Sequence, residues 1–65
     1  MKPKMTEKYQ EFRWTIKGWA FCNAQMLKGR IEAGRAKLIG LEGAERAAAE
    51  STLVSMERAL KKATT

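Results

Sequence analysis

Side chains able to carry covalent or acid–base chemistry are few in this sequence: seven acids, all of them Glu, one thiol at Cys22, and neither Asp nor His. A nucleophile needs a base to activate it and a third group to orient that base, and His most often supplies the base. No such set can be assembled here, so the chain reads as a non-enzyme. The common zinc frameworks are excluded by the same inventory, and no cofactor or metal is expected. Cys22 falls at the edge of an apolar seam, where a free thiol acts as a small hydrophobe.

What remains is the chemistry of recognition. All five aromatics, Tyr9, Phe12, Trp14, Trp19 and Phe21, lie between residues 9 and 21. On a helical wheel Tyr9, Phe12, Ile16, Trp19 and Ala20 share one side, with the spacing of a core-facing stripe. Trp14 and Phe21 share the other, beside Gln10, Lys17 and Lys28. A helix packed on one neighbour needs one apolar stripe, so the second requires its own cover. Trp14, Lys17, Phe21 and Lys28 are therefore expected to bind another protein, one offering an acidic or apolar groove. The first stripe, Tyr9, Phe12, Ile16 and Trp19 with Asn23 in the seam, is expected to pair with a second copy of the chain. An oligomer that buries both stripes at once is the competing reading. Asn23 either fixes the register of that pairing or is simply wet.

The formal charge is +6, and it is unevenly spread: nine Lys/Arg against three Glu before residue 40, four against four from there on. Lys28, Arg30, Arg35 and Lys37 form the densest basic run and straddle an apolar stripe of Leu27, Ile31 and Leu38. Such charges usually pack their stems along a seam and hold their heads in water. The alternative is a phosphate-binding surface, which would make the chain a nucleic-acid-binding regulator of RNA or DNA. A helix-turn-helix reader fits Ala36 and Gly40 but fails downstream. There Arg46 replaces the apolar anchor, and Glu42, Glu45 and Glu50 would confront phosphates.

Positioning these residues falls to helices. Residues 1–5 read as a flexible arm, and residues 6–65 as one domain. Thr6 followed by Glu7 has the pattern of an N-cap with an acidic first turn. From there an apolar seam at steps of three and four runs to Leu41, so one long helix over about 6–39 is expected in preference to two. The glycines at 18, 29 and 34 weaken it, with the bend expected at Lys28-Gly29-Arg30. Gly40 followed by Leu41 resembles a glycine C-cap, giving a turn over about 40–42. A second helix over about 42–63 carries Ala49, Leu53, Met56, Leu60 and Ala63 on one face, with Arg46/Glu50 and Glu57/Lys61 as i, i+4 pairs.

The expected fold is thus all-α, an antiparallel helical hairpin with a long first helix and a shorter second. A helix of about 34 residues spans roughly 50 Å and one of about 22 roughly 33 Å, so the aromatic stretch should project beyond the hairpin. A chain of this size buries little surface alone, and pairing into a homodimeric helical bundle would cover the projection.

No run reaches the 18 or more apolar residues of a membrane span, and the first residues lead into charge rather than a signal-peptide core. The expectation is a cytoplasmic chain, in the host cytoplasm if viral. Its function is read as a small non-enzymatic interaction module, of the kind phage and plasmid accessory proteins use to modulate another protein or complex.

Overall fold

The computed structural model describes residues 5–64, which are all-helical with no strand. Helix α1 spans Glu7–Thr15, α2 Ala24–Lys37 and α3 Gly43–Thr64, and single 3-10 turns lie at Trp19–Phe21 and Leu38–Gly40. Apart from Met5, the expected N-terminal arm lies outside the described residues.

Helix α1 begins where its cap chemistry dictates. Thr6 is extended (φ −66°, ψ 159°), and its hydroxyl accepts from the Tyr9 N–H at 3.2 Å. Glu7 in the first turn suits the positive end of the dipole. The long helix expected over 6–39 does not form, however. After Thr15 the backbone turns at Gly18, whose φ of 77° is left-handed and open to glycine at little steric cost. Asn23 then starts a new helix, its Oδ1 accepting from the Met26 N–H at 2.8 Å. Asn23 is therefore an exposed N-cap rather than a seam residue. The expected bend at 28–30 is also absent: Gly29 lies inside α2.

Burial decides in favour of the break. A continuous helix would carry Phe12 and Ile16 past the end of α3 and leave them in water. Folded back, they are 1% and 6% exposed, against the roughly 1.5–3 kcal/mol that burying each such side chain contributes. The expected projection of the aromatic stretch is corrected on this point, because the chain covers Phe12 and Ile16 itself.

The remaining core follows the helical periods. Leu27 and Ile31 come from α2, Leu41 from the connection, and Ala49, Leu53 and Met56 from α3. Tyr9, Trp19, Cys22, Leu38, Ala59 and Leu60 pack around them. Cys22 takes the filler role expected of it, half-buried, with its Sγ 3.5 Å from the Gly18 carbonyl oxygen. At Gly34 of α2, side chains from α1, from its C-cap residue Ile16 and from α3 crowd together. A Cβ there would lie 2.9 Å from Leu53 Cδ2, 3.0 Å from Ile16 Cγ2 and 3.3 Å from Phe12 Cε1.

The second connection falls close to its expected place, with α3 starting at Gly43. The left-handed glycine there is Gly43 (φ 59°), not Gly40. Leu41, just beyond the 3-10 turn, is buried, and its N–H donates to the Leu38 carbonyl at 2.9 Å.

Polar clamps join the helices. Glu45 accepts from the Thr6 N–H at 2.9 Å and from the Thr6 hydroxyl at 2.8 Å, fastening the start of α1 to the first turn of α3. Arg30 Nη1 donates to the Thr15 carbonyl at 3.0 Å, closing the other end of α1. Arg35 pairs with Glu57, Lys37 approaches Glu11 at 3.9 Å, and Arg46 meets Glu50 at 3.7 Å. Glu57, expected to pair with Lys61, thus has Arg35 as a partner.

Candidate protein-binding surface

With Phe12 and Ile16 turned inward, the side chains of α1 half a turn away face out. Trp14 is 69% exposed although it sits two residues from the most buried aromatic of the chain. The Lys17 Nζ lies 4.3 Å from the centroid of a Trp14 ring, a cation–π contact that props the indole against the helix surface. Below it, the Gln10 amide donates from Nε2 to the Met5 carbonyl at 3.1 Å, and Arg13 Nη1 reaches Met5 Sδ at 3.3 Å. These contacts hold Met5 beside the helix. The result is a shallow groove of about 380 Å³ lined by Met5, Gln10, Arg13, Trp14 and Lys17.

The groove's cations differ from those that clamp the helices together. Arg35, Lys37 and Arg46 each meet a carboxylate, and Arg30 has the Thr15 carbonyl. Among the described residues Arg13 and Lys17 have no carboxylate within ion-pair distance, Lys17 lying over the indole and Arg13 against Met5 instead. Sulfur is a weak acceptor, and the guanidinium of Arg13 keeps most of its donors available.

Of the residues expected to bind a partner, Trp14 and Lys17 come together here. Phe21 is 95% exposed in the 3-10 turn, but the break at Gly18 removes the seven-residue register that would have aligned it with Trp14. Lys28 is likewise not part of this groove and lies on α2 beside Glu32 and Arg35. Arg13 and Met5 were missed by the sequence reading. Gln10 and Lys17 stand four before and three after Trp14, a spacing that signals their own place beside the indole but not that of Arg13 or Met5.

The residues expected to pair with a second copy are distributed differently. Phe12 and Ile16 are buried within the chain, Tyr9 and Trp19 are half-buried against its core, and Asn23 caps α2. Tyr9 stacks on Phe12 with ring centroids 6.1 Å apart. That face is covered internally, and the geometric reason for pairing through it is gone.

The basic run Lys28, Arg30, Arg35 and Lys37 is largely engaged inside the chain, as the contacts of its last three members describe. Among the described residues no helix is long and apolar enough to cross a membrane. In comparisons with known protein families, curated proteins and solved structures, the chain matches none.

Proposed function

We propose that this chain is a non-enzymatic binding module that docks an acidic segment of another protein on the Trp14 groove. In this reading α2 and α3 form an antiparallel helical hairpin, and α1 is laid across it to present Trp14. The observation that carries the proposal is the exposed indole flanked by Arg13 and Lys17, two cations with no carboxylate of their own. Aromatic and Arg side chains are the residue types that dominate protein interfaces, and exposed cations select carboxylates as their complement. Phe21 adds a second exposed anchor, whose burial in a complex contributes about 1.5–3 kcal/mol. A role in modulating another protein or complex, as accessory proteins do, follows from docking without catalysis.

The nucleic-acid reading is weaker because Arg30, Arg35 and Lys37, three of the four residues of its basic run, already have partners within the chain. Two cations at the groove would give a salt slope near −2 on logarithmic axes, whereas phosphate-driven binders neutralise several times as many phosphates.

Trp emission titrated with a Glu-rich peptide carrying one aliphatic anchor, and separately with a single-stranded oligonucleotide, tests the assignment. The peptide should bind and the oligonucleotide should not. Trp14→Ala should weaken the peptide by about 2 kcal/mol with the circular dichroism unchanged. Tight oligonucleotide binding with no peptide binding would reverse the order of the two readings.

A further inference from the structure

A second surface lies away from the Trp14 groove, between the end of α2 and the middle of α3. Its floor is Leu38 and Leu53, and the opening is about 520 Å³. Ile39 and Val54 edge it at 86% and 46% exposure, aliphatic side chains with no core to enter. Their position is dictated locally. Leu38 and Leu53 point into the core, so the next residue along each chain segment points out beside the same groove.

The charges around this apolar centre identify its occupant. Arg35 pairs with Glu57 toward one end, and Arg46 with Glu50 toward the other. The face is therefore neutral in a chain of formal charge +6. An acidic peptide or a polyphosphate gains nothing by approaching a neutral face, while two cationic copies can meet there because the face itself carries no net charge. The order of the charges also complements itself. When two copies of α3 cross antiparallel about a two-fold axis level with Ser51 and Thr52, Arg46 of each copy comes opposite Glu57 of the other. Isologous contacts of this kind, in which one patch faces itself, are the commonest form of homo-oligomer. Ala47 and Ser51, exposed and small on the flank of this face, let the second helix come close.

We infer that a second copy of this chain docks on the Ile39/Val54 groove through an antiparallel α3–α3 contact, centred on those aliphatics and flanked by reciprocal Arg46–Glu57 pairs. The pairing surface differs from the Trp14 groove, so both copies keep that groove open.

Sedimentation of the full chain over a concentration series tests this, with charge variants used singly and mixed. The wild type should pass from monomer to dimer as concentration rises. Arg46→Glu alone and Glu57→Arg alone should each move the midpoint upward by at least about tenfold, because each sets like charges opposite one another twice. An equimolar mixture of the two should dimerise again, since each contact then joins opposite charges. Circular dichroism checks that each variant is folded. Ile39→Asp, at an exposed position and with its fold checked in the same way, should abolish the dimer and decides the matter if a charge variant unfolds. A wild type that stays monomeric at the highest concentration, a dimer that survives Ile39→Asp, or a mixture that fails to recover would each overturn the inference.

Discussion

Arg30 donates from Nη1 to the Thr15 carbonyl at 3.0 Å, so a side chain of the second helix terminates the first. The last carbonyls of a helix have no partner inside it, and here one of them receives a charged donor in a half-buried setting. Arg30→Met keeps much of the stem and removes the donor. It should destabilise the chain by about 1.5 kcal/mol, read as a lower urea midpoint at unchanged slope.

Two glycines of α2 should respond in opposite directions to the same substitution. At Gly29 an added Cβ meets nothing within 4 Å, and Gly29→Ala should stabilise by about 0.5–1 kcal/mol through helix propensity. At Gly34 the Cβ would press on Leu53, Ile16 and Phe12, all deep in the core. Gly34→Ala should lower the melting temperature despite the same gain in propensity, because overpacking costs about 1–3 kcal/mol. Equal stabilisation at both sites would mean the three helices do not meet at Gly34.

The break before α2 can be tested at its cap. Asn23→Ala removes the acceptor for the Met26 N–H and should cost about 1 kcal/mol, whereas Asn23→Ser should retain most of it. A seam residue facing a second chain would instead change the oligomer equilibrium. Thermal melts and sedimentation together separate the two outcomes.

The two tryptophans should be distinguishable in solution. Trp14 is exposed and Trp19 half-buried against the core, so iodide should quench mainly the emission that Trp14→Phe removes. Quenching that is unchanged in Trp14→Phe would place the indole inside, and the binding groove with it.

The second half of the fold was legible in the sequence to within a residue or so. Ala49, Leu53 and Met56 recur at helical spacing, the Gly40–Gly43 region interrupts it, and nothing in between competes. The first half was misread at a particular place. Between Ile16 and Leu27 the apolar period continues through Trp19 and Asn23, so spacing alone suggested an unbroken helix. A 3-10 turn also brings residues three apart into line, and Asn23 suits both a seam and a cap. Gly18 and Asn23 together were the signal, but weighed singly neither outranked Gly29. The exposure of Trp14 followed from its place on the wheel, which holds within α1. The association of Phe21 with it did not, because that needed the helix to persist beyond Gly18. Arg13 and Met5 were hidden for another reason: their role depends on which cations already have partners, and that is settled only by packing.

The bond from Thr6 to Glu45 spans 39 positions in the chain, and this separation imposes an order on synthesis. At about 5–20 residues per second, roughly 2–8 s elapse between the two residues leaving the ribosome's active centre. During that interval α1 has its Thr6 cap but lacks the Glu45 carboxylate. Phe12 and Ile16 wait for Leu53, which is made later still. A helical chain of this size folds within microseconds to milliseconds once its contacts exist, so elongation sets the delay. Until Leu53 has been added, Phe12 and Ile16 therefore lack the α3 side chain of their shared core, so the core closes only after much of α3 has been made.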